Sequence, residues 1–174
     1  MSTVQRLYTM FKESGLCLEP LAEDLAKDLV APQEVKEMLL LSREWHLKED
    51  HCGVFGVNMF DAATIWLDKL AIIGDQELVQ QWEEEHPVPN CAQKDWECFA
   101  AVSEFDFLFV CVIPGEDFGA TRRMVNNCWE DTGLTMAPFT CFLEGLTKYV
   151  EEHNRLKGDQ DGMDDLNFFS FFNS

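Results

Sequence analysis

The chain has 174 residues, of which 32 are Asp or Glu and 13 are Lys or Arg, so its formal charge is −19 at pH 7. Hydrophobic residues make up 47% of it, including 14 Phe and 5 Trp. That apolar content excludes an intrinsically disordered acidic chain, which lacks the area for a core. The length predicts one folded domain.

The charge also restricts the classes of partner. Phosphate backbones are held mainly by Lys and Arg, and Arg122 and Arg123 are the only adjacent basic pair in the chain, so nucleic-acid binding is disfavoured. A basic protein, in contrast, would be attracted and steered during its approach. The alternative interpretation is that the charge serves only solubility.

The chain shows neither a signal-peptide pattern at its start nor an apolar run long enough to span a bilayer, its most hydrophobic stretch being Phe105 to Ile113. The seven cysteines are odd in number and lie largely within apolar patterns, as reduced core residues do. The sequence therefore predicts a cytoplasmic protein without a membrane partner.

Apolar spacing predicts three helices at the start of the chain. The first ends at Gly15, the second opens at Pro20 and carries the stripe Leu21, Leu25 and Leu29, and the third opens at Pro32 and includes Trp45 on its apolar face. A short strand over Cys52–Phe60 follows. Two further helices are predicted after Asp61 and Asp75, which are suitable N-cap residues.

The period then changes to that of strands. Trp96–Val102, Phe105–Ile113 and Gly119–Asn127 predict at least three antiparallel strands, with a turn at Pro114–Asp117. Both faces of the middle strand are apolar, which indicates a central strand that is covered on both sides. A final helix is predicted from Pro138 to just before Gly158. The fold class is therefore α+β, a single domain whose antiparallel sheet packs with helices and whose N-terminal half is helical.

Candidate chemistry is sparse. His46, His51 and Cys52 form one potential metal cluster and His86, Cys91 and Cys98 another, but neither has the spacing of a zinc motif. Cys111 and Cys128 are the candidate nucleophiles, and Cys111 lies in the inward register of the central strand, where thiols are usually inert. We predict no catalytic residue, no metal, no cofactor and no enzymatic activity.

Arg122 and Arg123 are neighbours on a predicted strand, so their side chains point to opposite faces of the sheet. They are thus unable to clamp one ligand together. We predict that one of them meets an acidic residue within the domain and that the other meets solvent.

Two regions are candidates for partner binding. Residues 75–106 carry nine acidic side chains against Lys94 alone, which makes a negative field suited to a basic protein. The predicted contacts there are Glu83, Glu84, Glu85, Glu104 and Asp106. The second region is the tail after residues 158–165, with its four phenylalanines Phe168, Phe169, Phe171 and Phe172. Such a tail either folds back onto its own domain or docks into a partner.

The order of these signals resembles that of the SUKH superfamily of Smi/Knr-like domains. The likeness covers roughly Leu21 to Val150 and includes the helix from Pro32, a glycine turn, a strand-like run, a helix ending at Trp82 and the paired aromatic strands. The segments that carry the resemblance most clearly are Gly53–Phe60, Trp96–Ala101, Phe105–Val112, the return strand that contains Gly119, and the pattern Phe139-x-x-Phe142-Leu143-x-x-Leu146. Many family members have Asn-Gly where this chain has Cys52-Gly53.

The resemblance implies a curved antiparallel sheet with helices around it and a protein-binding role with no shared enzymatic activity. In the bacterial branch that role is neutralising a toxin as an immunity protein, and in the fungal branch it is regulatory scaffolding. We divide the chain into a SUKH-like α+β domain over 1–157 and an acidic linker with a Phe-rich tail over 158–174. The alternatives are a small enzyme or ligand-binding protein with a pocket between helices and sheet, or a structural subunit anchored by the tail.

Overall fold

The computed structural model describes residues 1–14, 19–46, 56–58, 77, 80, 81, 84, 95–103, 105–126 and 128–172. Within those residues, an open antiparallel sheet packs with helices from both ends of the chain. The predicted α+β class is therefore confirmed.

The first helix, α1, spans Thr3–Glu13 and buries Val4, Leu7 and Phe11, as its spacing predicts. It begins with a capping box, because the Ser2 hydroxyl accepts a hydrogen bond from the backbone of Gln5 while the Gln5 side chain accepts one from the backbone of Ser2. This exchange satisfies two N–H groups that a helix start leaves unpaired.

The second helix, α2, spans only Glu23–Asp28 and is much shorter than predicted. Leu21 precedes it and donates its N–H to the carbonyl of Leu39 at 2.8 Å, while Leu29 follows it in extended backbone. The predicted leucine stripe is therefore wrong.

The third helix, α3, spans Gln33–Leu41 and ends at Ser42, which is extended. The spacing predicted Trp45 on this helix, and that prediction is wrong. Trp45 lies on a short strand, β1, at Glu44–His46. Its predicted burial is confirmed, since the side chain is fully buried. The indole N–H donates to the carbonyls of Ser42 at 3.0 Å and Met38 at 3.3 Å, which holds the side chain against the end of α3.

The sheet is an antiparallel meander in the order β1 to β6. Its remaining strands are β2 at Gly56–Asn58, β3 at Trp96–Ser103, β4 at Asp106–Cys111, β5 at Ala120–Val125, β6 at Cys128–Glu130 and β7 at Ala137–Pro138. β7 pairs with β5 beside the β6 pairing. The three predicted strands are confirmed: β3 extends one residue further than predicted, β4 and β5 are shorter at both ends, and β6 and β7 were not predicted.

Strand β4 is covered on both faces, as its sequence predicts. Leu108 and Val110 belong to the large core that α1, α3 and the later helices share. Phe109 and Cys111 point to the other face, in a smaller cluster with Trp96. The sheet is thus a two-sided layer, and the side chains of β5 also divide between these faces.

The chain continues into the long helix α4 at Phe139–Arg155, which confirms the predicted last helix. A short helix, α5, spans Gln160–Asp164 within the acidic linker, and a 3-10 helix spans Phe168–Phe171 within the tail. Among the residues that the structure describes, no helix has the length and apolar character needed to cross a bilayer.

Most of the predicted strand Cys52–Phe60 and the helices after Asp61 and Asp75 lie outside the described residues. The exceptions are β2 and four helical positions, Glu77, Gln80, Gln81 and Glu84, whose side chains are all exposed.

Candidate interaction surfaces

The Phe-rich tail folds back onto α4 of its own domain. Phe168 meets the ring of Tyr149 edge to face with centroids 5.3 Å apart, and Phe172 stacks on Phe142 at 6.1 Å with an interplanar angle of 2°. Both phenylalanines are buried, at 7% and 6% exposure. Burying such a ring stabilises a fold by about 1.5–3 kcal/mol, so the tail contributes to the core rather than hanging free.

The tail reaches α4 at a glycine. A Cβ atom at Gly145 would overlap the ring of Phe172, with its Cζ only 2.8 Å away. Glycine inside a helix is less stable than alanine by about 1 kcal/mol. At position 145 the absence of a side chain leaves the space that the Phe172 ring occupies. We call the surface formed by Phe142, Gly145 and Tyr149, together with Arg123 of β5, the α4 groove.

Replacing Gly145 with alanine is expected to expel Phe172 even though alanine suits a helix better. Losing the burial of one ring should raise the fraction of undocked tail by about tenfold or more. Limited chymotrypsin digestion, which cleaves after Phe, measures this directly. Glu144→Ala is the control, because Glu144 is an exposed neighbour on the same helix, and it should leave the rate of chymotrypsin cleavage unchanged. Equal cleavage rates for the two variants would show that docking of the tail does not depend on Gly145.

Arg123 joins the sheet to the tail. Its guanidinium donates Nε to Asp106 Oδ1 at 2.9 Å and Nη2 to Asp106 Oδ2 at 2.6 Å, and it also lies 3.5 Å above the ring centroid of Phe169. The predicted pairing of one arginine within the domain is confirmed. Asp106 was expected on an exposed acidic surface, but it is 8% exposed and its carboxylate is held by this pair, because Val125 and Arg123 of β5 run alongside it.

Arg122 does not meet solvent, so that half of the prediction is wrong. It is 5% exposed, and its guanidinium lies 4.9 Å from the ring of Trp129. The cause is β6, which was not predicted and which places Trp129 opposite Met124, on the same sheet face as Arg122. An arginine stacked on tryptophan in this way gains cation–π attraction as well as packing.

Of the predicted acidic contacts, Glu84 is exposed on a helix, while Glu83, Glu85 and Glu104 lie outside the described residues. The acidic region therefore stays a prediction.

A surface that the sequence did not indicate lies around the β4–β5 turn. Ile113 is 47% exposed and Phe118 is 40% exposed, and Val30, from the connection between α2 and α3, is 56% exposed. Val30 and Phe118 both line an open groove of about 530 Å³, together with Pro114. Exposed apolar side chains grouped beside a groove mark interaction sites more often than scattered ones do.

Carboxylates lie next to this groove. Asp95, Glu116 and Asp117 line a second hollow of about 320 Å³, which shares Pro114 and Gly115 with the first. We call the combined area, Val30, Asp95 and Ile113–Phe118, the turn surface. Lys27 and Lys36 also line the groove, and Lys27 is paired with Glu23 at 2.9 Å.

Tertiary contacts position the turn surface. Gly119 has a φ of +84°, and a Cβ there would be 3.3 Å from Pro32 Cγ. The end of the β4–β5 turn therefore lies directly against the start of α3, which brings Phe118 beside Val30. A glycine suits both the backbone angle and the close approach.

The cysteines within the described ranges divide by burial. Cys98 and Cys111 are buried, whereas Cys128 and Cys141 are exposed. Burial raises the pKa of the Cys98 thiol well above its ordinary value, so it is not a thiolate nucleophile. The side chains of His46, His51, Cys52, His86 and Cys91 lie outside the described residues, and within the described ones no group of three His, Cys, Asp or Glu is arranged to hold a metal.

The raised pKa of Cys98 predicts a loss of stability in alkali. The unfolded thiol ionises around its ordinary value of 9.0 while the folded one keeps its proton, so the stabilisation is complete below pH 9 and is lost above it. Burial raises the pKa of Tyr149 too, from 10.0, with the same sign. Urea unfolding measures the free energy of unfolding at about pH 8 and at about pH 10. Between these two pH values it should fall by about 1 kcal/mol less in Cys98→Ala than in the original chain. Equal falls in the two proteins would contradict the raised pKa of Cys98.

Comparisons of this chain with protein families, with curated proteins and with solved structures found no match.

Proposed function

We propose that this chain is a non-enzymatic, intracellular protein-binding module that holds a basic partner at the turn surface. The observation that carries the proposal is the turn surface itself, where exposed Val30, Ile113 and Phe118 adjoin the carboxylates of Asp95, Glu116 and Asp117. Apolar side chains anchor a partner, and charges around them set its approach and orientation.

Charge selects the class of partner. The whole chain carries −19, which repels acidic proteins and draws basic ones before contact. At the turn surface, Lys or Arg side chains of the partner would meet Glu116 and Asp117 while an apolar side chain enters the groove beside Phe118. Attraction of this kind weakens with salt, because the Debye length shrinks from about 30 Å at 0.01 M to about 8 Å at 0.15 M.

The SUKH-type assignment is part of this proposal. The assignment rests on the resemblance in sequence, and the α+β class of the structure is the class that this resemblance implies. Within it, the role is that of an immunity protein that neutralises a basic toxin, or of a regulatory scaffold. Finding a basic nuclease as the captured partner would select the first role.

Affinity capture tests the proposal. The immobilised full-length protein is exposed to lysate of its source cells at about 0.05 M and 0.5 M salt, and the bound proteins are quantified by mass spectrometry. The variants are Phe118→Ser and the pair Glu116→Lys with Asp117→Lys. Phe105→Ser is the matched control, because Phe105 is 60% exposed at the opposite end of β4.

A basic protein should be retained by the original chain and by Phe105→Ser at low salt. Phe118→Ser should reduce its capture by about tenfold, the effect of removing an interface anchor. The charge-reversed pair and the higher salt should each reduce capture as well. A protein that binds equally at both salt concentrations, or equally to Phe118→Ser and Phe105→Ser, would refute the turn surface as the site.

A further inference from the structure

The α4 groove is a binding site for an aromatic segment, and its resident occupant is part of the same chain. The four rings of the tail each have a defined partner: Phe168 and Phe171 meet Tyr149, Phe169 meets the guanidinium of Arg123, and Phe172 lies on Phe142. All four contacts between the tail and the groove are noncovalent: three are between aromatic rings and one is between a guanidinium and a ring. Such a set of anchors is what a peptide-binding groove offers.

The connection that closes the tail onto α4 is short and contains one glycine with a positive φ. Helix α4 ends at Arg155 and α5 begins at Gln160, so few residues make the reversal. Gly158 in this connection has a φ of +98°, a backbone angle that other residues rarely adopt. Nothing lies within 4 Å of the position of a Cβ there, so a substitution would change the angle without a clash.

We propose that the α4 groove also accepts the Phe-rich tail of a second copy of this chain, so that two copies exchange tails. Every copy carries the same tail and the same groove, and a tail that opens at Gly158 therefore finds an identical groove on its neighbour. In a single chain, the chain's own tail competes with the tail of a second copy for the groove, at an effective concentration on the order of millimolar. Exchange between copies therefore becomes measurable when the protein concentration is also near millimolar, or when a substitution hinders a tail from docking on its own chain.

Salt distinguishes this contact from partner binding at the turn surface. Two copies, each with a charge of −19, repel one another, and added salt screens that repulsion. Tail exchange should therefore increase with salt, whereas capture of a basic partner should decrease. The failure of one proposal leaves the other standing, because the two surfaces share no residue.

The test uses two full-length variants with complementary defects. Phe168→Ala with Phe172→Ala keeps the groove but removes the two buried anchors of the tail. Gly145→Ala keeps the tail but blocks the groove. The first variant is labelled with ¹⁵N, the second is added unlabelled at about 0.3 M salt up to about millimolar concentration, and amide shifts are followed by NMR together with the mass by sedimentation.

The two variants should form a one-to-one complex that neither forms alone, with shifts at Gly145 and Tyr149 of the labelled chain. A labelled chain that carries all three substitutions should show no such shifts. A synthetic peptide of residues 158–174 provides a second measurement that does not depend on how Gly145→Ala behaves, and it should shift the same amides. Gly158→Val in the otherwise unchanged chain should raise the dimer fraction by roughly tenfold.

Two results would overturn the proposal. The first is an absence of shifts at millimolar concentrations of both the Gly145→Ala chain and the peptide. The second is a complex that forms equally well with the triply substituted chain, since that complex would not use the groove.

Discussion

Replacing Trp45 with alanine is expected to lower the free energy of unfolding by about 3–5 kcal/mol, the usual cost of truncating a large aromatic side chain in a core. Trp45 is fully buried, and its ring packs edge to face on Tyr8 at 5.7 Å and on Phe11 at 5.1 Å. It therefore ties β1 to α1. Its indole N–H also bonds to the carbonyls of Ser42 and Met38, which would lose that donor.

Urea unfolding followed by circular dichroism measures the effect of Trp45→Ala. Phe105→Ala is the control, because that ring is 60% exposed and its loss should change stability by no more than about 0.5 kcal/mol. A change below about 1 kcal/mol for Trp45→Ala would mean that the tryptophan does not hold β1 to the helices.

Replacing Arg123 with methionine is expected to cost about 2–3 kcal/mol, because Asp106 would keep a largely buried charge without its partner. The side chains of Arg123 and Asp106 are 22% and 12% exposed, which keeps the expected cost below that of a fully buried pair. The same substitution removes the cation above Phe169, so the tail should also become more sensitive to chymotrypsin.

A double-mutant cycle separates the pair from its surroundings. Asp106→Leu alone should be destabilising for the matching reason, while Asp106→Leu combined with Arg123→Met should recover most of the loss, since apolar replacements of a buried ion pair are often tolerated. If the double variant is as unstable as the sum of the two singles, the residues are not coupled in the way that their geometry indicates.

The longest and most regular patterns were the ones that the sequence predicted best. Strands β3 to β5 and helix α4 carry enough periodic residues for the local signal to be unambiguous. Trp45 shows where that signal misleads, since its spacing from Met38 suits a helix but Ser42 is extended and a strand follows. That strand is stabilised by pairing with β2, which is not encoded locally.

The arginine pair shows a second limit. Alternation along the strand predicted opposite faces for Arg122 and Arg123, and this holds. The surroundings of Arg122 depended on β6, whose three residues are too few to give a pattern, and on Trp129, which that strand supplies. Alternation along the strand therefore predicts the direction of the Arg122 side chain but not the tryptophan that covers it.

The turn surface could be predicted only in part. Pro114–Asp117 was recognisable as a turn, and Ile113 and Phe118 flank it in the sequence. Val30 is more than eighty residues away and joins them only because Gly119 lies against Pro32. The tail, conversely, had a recognisable composition, but whether it docks on its own domain depended on the space above Gly145.

The central claim, that this chain binds a basic protein at the turn surface, is tested most directly by placing a photo-crosslinking amino acid at a single position. One full-length chain carries it in place of Phe118 and another carries it in place of Phe105, and each is irradiated in source lysate at low salt. We expect one basic protein to be crosslinked at position 118 and not at position 105. Crosslinks of equal yield at both positions, or only at position 105, would contradict the claim.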